Sequence, residues 1–236
     1  MNDSNKIAVV AGVGFGLGEA LCQRLINEGY HVAGLARGTE VGNELVNHFG
    51  SEAFLPLSCD LTDPHSVNTA ISTVEAQLGS TSVYIHNAAY LHMGDFLDTA
   101  PEDFENLWKV ICLGAVRGIQ RVIPTMLEQK SGAILVTGAT ASIKAGAGFS
   151  AFSSAKFALR GLTQSLAREY GSQGIHIAHI LLDGLIWGTQ SSDTFSAKET
   201  DCLLPEAIAD SYYHLIQQHR SSWTQELDLR PDCEPF

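Results

Sequence analysis

The sequence predicts an α/β fold in one domain spanning residues 1–236: a doubly wound parallel sheet of about seven strands with helices on both faces. Three observations predict it. Short β-rich runs alternate with segments of helical spacing from residue 6 to residue 229, the pattern of crossover connections between parallel strands. A proline sits inside the third β-rich run, at Pro56. Proline cannot donate to a ladder, so that strand belongs at a sheet edge, and the third strand is an edge in the order 3-2-1-4-5-6. Finally, no Pro/Ser/Gly linker, charge block or internal repeat divides the 236 residues.

The elements follow in order. Lys6-Ile7-Ala8-Val9-Val10 is a β-rich run ending at Ala11-Gly12. Leu17, Leu21 and Leu25 then recur at spacing four, with Ala20 and Cys22 beside them, and Gly29 stands where that helix would end. Residues 30–35 form a second strand, residues 40–49 a helix and residues 52–58 the third strand. Asp63-Pro64 supplies an N-cap and an N1 proline for a helix carrying Val67, Ala70, Ile71, Val74 and Leu78, closed by Gly79. Residues 83–86 are the fourth strand. A long helix runs from Pro101 to about residue 129, with Pro124 expected to kink its last turns. Residues 133–137, 175–182 and 225–229 complete the strands, and residues 148–170 and 205–218 the helices. Residues 185–203 lack periodicity and are rich in Ser and Thr. They read either as a plain surface loop or as a mobile loop covering a ligand beyond the strand ends.

With 45% hydrophobic and 17% charged residues, the chain can bury one sizeable core. Its net charge of -12 lacks the basic footprint of a nucleic-acid binder and disfavours an anionic membrane surface. The polar opening Met1-Asn2-Asp3-Ser4-Asn5-Lys6 has no signal-type apolar region, and no later stretch is expected to span a bilayer. Five cysteines without CxxC spacing suggest thiols in a reducing compartment, the cytoplasm by default. Of nine histidines, His176 and His179 are three apart in a strand and so face opposite sides; His86 and His92 flank a turn with no acidic partner at motif spacing. No metal is expected. Trp108, Tyr212 and Tyr213 read as helix packing residues, and Trp223 has no assigned role.

The chemistry is concentrated at the first turn. In Ala11-Gly12-Val13-Gly14-Phe15-Gly16-Leu17-Gly18 the spacing that fits a nucleotide site is G-x-x-x-G-x-G, on Gly12, Gly16 and Gly18. Such glycines let backbone N–H groups approach a diphosphate at a helix N-terminus, which in this β-α-β context marks a Rossmann-type dinucleotide site. At the end of the second strand stands Leu35-Ala36-Arg37, with no acid before Glu40. An acid there would bind a ribose 2′-hydroxyl; an arginine accommodates a 2′-phosphate. Arg37 therefore favours NADP(H) over NAD(H), against the plainer reading of a solvated surface residue.

With these residues in place, the chain resembles the short-chain dehydrogenase/reductase family over nearly its whole length. Gly12, Gly16 and Gly18 match its glycine turn, with Phe15 and Leu17 between them. Asp60 and Leu61 in Cys59-Asp60-Leu61-Thr62-Asp63 match the segment holding the adenine. His86-Asn87-Ala88-Ala89 resembles the N-N-A-G segment, Leu113-Gly114 and Pro124 match landmarks on the long helix, and Ile186 matches the residue whose backbone meets the nicotinamide amide. Asp183-Gly184 stands in place of the usual Pro-Gly.

The resemblance implies hydride transfer between nicotinamide and a small carbonyl or alcohol, and a homodimer or homotetramer paired through the two long helices. It also exposes departures. Phe152-Ser153-Ser154-Ala155-Lys156 stands where the family has Y-x-x-x-K, the serine position falls on Ala139 and the asparagine position on Ile111. Only Lys156 remains of the four polar roles; by resemblance it holds the nicotinamide ribose, while taken alone it could snorkel to solvent. Thr140, Ser142 and Tyr90 are candidate replacement donors. Two functions stay open: an NADP(H)-dependent oxidoreductase with a weakened active site, and a non-catalytic NADP(H)-binding sensor or inactive hetero-oligomer partner.

Overall fold

The computed structural model describes residues 6–234; Met1–Asn5 of the polar opening and residues 235–236 lie outside the described residues. The elements run β1 (Ile7–Ala11), α1 (Leu17–Asn27), β2 (His31–Ala36), α2 (Glu40–Phe49), β3 (Phe54–Ser58), α3 (Pro64–Gln77), β4 (Val83–His86), α4 (Pro101–Trp108), α5 (Gly114–Gln129), β5 (Gly132–Thr137), α6 (Ser150–Tyr170), β6 (Ile175–Leu182), α7 (Thr189–Phe195), α8 (Pro205–Ile216) and β7 (Glu226–Leu229). All seven strands pair in parallel, in the order β3-β2-β1-β4-β5-β6-β7. Pro56 is on the edge strand β3, so its missing donor costs no central ladder bond.

Strand alternation builds two cores. Ile7, Val9 and Ala11 join one cluster with the inner faces of α3, α5 and α6. Ala8 and Val10, between them in β1, join the other with α1, α2 and α8. Strands buried on both faces must be apolar throughout, as in Val83-Tyr84-Ile85 of β4. Helix α5 sits so close to β4 that a Cβ at Gly118 would come within 1.8 Å of the Tyr84 hydroxyl. Asp63 caps α3 as expected, its carboxylate accepting from the N–H groups of His65 at 2.9 Å and Ser66 at 3.3 Å.

Three expectations need correction. The long helix departs from α geometry at a π turn over Lys109–Leu113, while α5 runs on through Pro124. Buried Leu107, Ile111 and Ala115 are spaced by a strict four, which overshoots the α period; one wider turn brings them back to the same face. That helix, Pro101–Gln129, is also long and apolar enough to cross a membrane by length and composition. Half of its most apolar window is buried in the protein, and it serves as a core helix. Third, the aperiodic stretch contains a short helix, α7, and its two ends are tied together: Trp187 N–H donates to Leu203 O at 2.8 Å and Leu203 N–H to Leu185 O at 2.8 Å.

Among the aromatic residues, Tyr212 is fully buried, but Trp108 is 42% exposed rather than packed. Trp223 stacks on His176, ring centroids 4.9 Å apart. Asp183, in place of a proline at the exit of β6, forms an ion pair with Arg230 at 3.1 Å just beyond β7.

Candidate active site

The carboxyl ends of the strands carry two cavities. The first, of about 480 Å³, opens over β1, β2 and β4. Gly12 adopts φ 100 there, and a Cβ on it would lie 2.5 Å from the Ala88 nitrogen; at Gly18 a Cβ would lie 2.6 Å from the Gly12 carbonyl oxygen. Only glycine fits either place. No side chain caps α1, whose N-cap is Gly16 at φ 85. Its first-turn N–H groups therefore lack protein side-chain acceptors. Of the residues singled out from sequence, Gly12, Phe15, Gly18, Arg37, Asp60, Leu61, Asn87 and Ala88 line this cavity. Leu17 instead packs into the core beneath α1, and Gly16 lies at the helix start outside the lining. Val13, Gly38, Cys59 and Val110 also line it without having been singled out; none carries a polar signal that sequence reasoning can use.

At the far end of this cavity Arg37 is exposed and shares the lining with Glu40 and Tyr90. Asp60 accepts hydrogen bonds from Thr62 N–H and Oγ1–H, both at 2.8 Å. These hold its carboxyl below the usual range, with Arg37 and Arg117 contributing less.

A polar chain ties the glycine turn to the sheet. Tyr212 donates to Thr137 Oγ1 at 2.8 Å, Thr137 to Asn87 Oδ1 at 3.0 Å, and Asn87 Nδ2 to the Gly12 carbonyl at 3.0 Å. The Thr137 carbonyl accepts from Lys156 Nζ at 2.8 Å. Lys156 is only 3% exposed, so it does not snorkel. Burial lowers its pKa to about 8. Its Nζ lies 5.6 Å from the Phe152 ring centroid. Two buried histidines stand close enough to feel its charge. His86 is driven down to about 4 by burial and then by Lys156, against the Ile111 and Val110 carbonyls. His179 falls to about 4 for the same leading reason, although Glu226 lies 3.5 Å from its Nδ1. Glu226 is itself gripped by Arg160 of α6 at 2.7 and 2.8 Å.

The second cavity, of about 520 Å³, lies beyond β5 and β6. Phe152, Ala139, Thr140 and Ile186 line it, so the tyrosine and serine positions do face a ligand-sized space. Ile111 does not; it is fully buried in the π turn. Of the candidate replacement donors, Ser142 folds back, its Oγ accepting from Ala139 N–H at 3.1 Å, and it lines neither cavity. Tyr90 lies on the Arg37 side, away from Phe152. Thr140 stays at the second cavity. Ser153 was missed: it lines this cavity, is 3% exposed, and its hydroxyl has no hydrogen-bond partner. A single serine on a helix carries no sequence pattern that would single it out. Among the described residues no group of three or more His, Cys, Asp or Glu is placed to hold a metal.

The family model described as short chain dehydrogenase matches residues 6–199. The chain belongs to the short-chain dehydrogenase family. Its single seven-stranded parallel sheet with helices on both faces is the fold of that family. It is 34% identical to the oxidoreductase BOA17 of Botryotinia fuckeliana over 73% of this chain and 63% of that protein, so the match spans less than two thirds of the fungal relative. An uncharacterised oxidoreductase of Staphylococcus aureus strain MW2 is 25% identical over 97% of this chain and 98% of its own. Among solved structures, a short-chain dehydrogenase from Rhodopseudomonas palustris superposes with a TM-score of 0.83 at 29% identity, covering 96% of this chain and 99% of that one. An alcohol dehydrogenase from Thermococcus sibiricus, solved with 5-hydroxy-NADP, shares the fold at a TM-score of 0.85 and 23% identity, covering 97% of each chain.

Proposed function

We propose that this short-chain dehydrogenase is an NADP(H)-dependent oxidoreductase acting on a small carbonyl or alcohol with a weakened proton-donating apparatus. The observation that carries the reading is the uncapped N-terminus of α1 opening into a cavity that ends at Arg37. The Gly12 and Val13 N–H groups are taken by the Leu35 carbonyl, whereas those of Leu17 and Gly18 at the uncapped start of α1 suit a diphosphate. The Arg37 guanidinium suits a 2′-phosphate. When bound, the cofactor supplies or accepts the hydride. The chain's own residues do the rest: Asp60, Leu61, Asn87 and Ala88 wall the adenosine and ribose side, Ile186 borders the nicotinamide side, and Lys156, buried and off both cavity linings, keeps its proton at Nζ below its lowered pKa of about 8. The segment from 185 to 203, pinned at both ends, covers the second cavity through Ile186 and Phe195. Trp108 and Phe157, exposed on α4 and α6, suit pairing of copies into a homodimer or homotetramer. Four buried free cysteines suit a cytoplasmic setting.

Glu40 shares the Arg37 end of the cavity, so the decisive measurement compares NADPH with NADH by fluorescence titration. Arg37→Asp is expected to weaken NADPH about 10- to 100-fold, the loss of charge-assisted contacts, and to leave NADH nearly unchanged. An unaltered ratio of the two dissociation constants rules the 2′-phosphate assignment out. A second reading, a non-catalytic NADP(H) sensor or an inactive hetero-oligomer partner, is favoured by the apolar residues at Phe152, Ala139 and Ile111.

A further inference from the structure

We infer that Thr137 and Tyr212 are positioning residues for the cofactor. Through Asn87 they hold the Gly12 carbonyl, and with it the gap between the glycine turn and the start of α1. The inference rests on the dinucleotide-binding reading above. The hydrogen-bond directions in this relay follow from its Gly12 end. A carbonyl oxygen only accepts, so Asn87 must turn its Nδ2 toward Gly12, at 3.0 Å. Its Oδ1 then faces Thr137 at 3.0 Å and takes the one hydroxyl proton that Thr137 carries. Thr137 Oγ1 is left to accept from Tyr212, 2.8 Å away. Every bond points one way, from α8 through the end of β5 and the residue after β4 to the glycine turn.

The direction matters because the two ends of an Asn amide are nearly alike in shape, and only their partners decide which faces Gly12. Without a donor at position 137, Oδ1 is free to turn toward the Gly12 carbonyl, acceptor against acceptor. The Gly12 peptide has little room to respond. Its N–H is fixed by the Leu35 carbonyl at 2.9 Å and its φ is 100. Its carbonyl oxygen stands where a Cβ on Gly18 would come within 2.6 Å, so it abuts the first turn of α1. That turn carries the uncapped N–H groups suited to the diphosphate, and a shifted carbonyl displaces them. Tyr212 is 1% exposed and Thr137 6%, so bulk water does not substitute for either hydroxyl. Neither residue lines the first cavity, so each acts through Asn87 rather than on the ligand. The Thr137 carbonyl that receives Lys156 Nζ belongs to the main chain and survives a change of side chain.

The test uses the purified full chain and two probes. NADPH is measured by fluorescence titration, and adenosine 2′-monophosphate, which has no diphosphate, by displacement of NADPH. Thr137→Val removes the hydroxyl at similar shape. It is expected to weaken NADPH about 10-fold and to leave adenosine 2′-monophosphate unchanged. Thr137→Ser restores the donor and returns NADPH affinity to within about 2-fold of wild type. Tyr212→Phe weakens NADPH about 3-fold. The double variant Thr137→Val/Tyr212→Phe binds no worse than Thr137→Val, because a relay is broken only once. Unchanged NADPH affinity in Thr137→Val overturns the inference. So do equal losses for both probes, the mark of a merely structural threonine, and losses that add in the double variant. If Thr137→Val does not fold, Tyr212→Phe decides: a loss confined to NADPH supports the relay, and no loss overturns it. A wild type that binds no NADPH overturns the dinucleotide reading, and this inference with it.

Discussion

Phe152→Tyr is expected to raise turnover of an accepted carbonyl by about 10²-fold, the lower end of what a positioned acid contributes. Phe152 lines the second cavity at 9% exposure, and Lys156 Nζ is 5.6 Å from its ring centroid. A hydroxyl added to that ring meets a cavity on one side and a buried ammonium nearby. It is therefore solvated rather than orphaned, and the ammonium stabilises its ionised form. The gain belongs in kcat, because the added donor acts where charge develops on the substrate oxygen. The wild-type baseline separates the two functional readings. Measurable turnover before the change identifies a slow enzyme; turnover only after it identifies a binding protein that has lost its donor. A variant that binds NADPH as before, with kcat unmoved, removes the assignment of this position.

Lys156→Met is expected to weaken NADPH binding about 10- to 100-fold, as loss of a charged hydrogen-bond donor does, while making the ligand-free protein more stable. The ammonium is 3% exposed with one carbonyl partner, Thr137. Burying a charge with so little compensation opposes folding, and a methionine of similar length fills the space without that cost. The pH dependence checks the argument. Burial lowers the folded pKa from 10.5 to about 8. Between those values the unfolded chain keeps the proton and the folded chain has lost it, so wild-type stability rises from pH 8 to pH 10.5. Lys156→Met removes this rise. Thermal melts across that range, with titrations at pH 7, decide it: a destabilised variant without the flattened profile contradicts the buried-charge account. The trade of stability for ligand binding is what a functional site entails.

Most of the fold was readable because local signals and the tertiary arrangement agree. Pro56 named the edge strand, Asp63-Pro64 named a helix start, and the all-apolar strands named a sheet covered on both faces. The π turn was not readable: it arises from packing Leu107, Ile111 and Ala115 on one face. Helix α7 was missed because Ser and Thr dominate a segment held by backbone bonds at its ends. At the site, the glycine spacing led to the first cavity, since only glycine survives contacts of 2.5 Å. Ser153 stayed hidden because one serine in a helix carries no pattern; only its missing partner and its place on a cavity wall distinguish it.

The neutral imidazoles beneath the sheet's carboxyl end set how this protein tolerates acid. His86 and His179 take up protons only near pH 4 when folded, and His176 also resists charging because it is buried, whereas released histidines titrate near 6.5. Hydrogen ions are thus selective ligands of the denatured chain. As acidity increases from pH 6.5 to 4, the unfolding free energy read from urea titrations is expected to fall, and the midpoint with it, the free-energy slope approaching about 2–3 kcal/mol per pH unit for two such groups. A flat midpoint over that interval contradicts the burial of neutral rings. Acid over this interval works against the fold through imidazoles that line neither cavity.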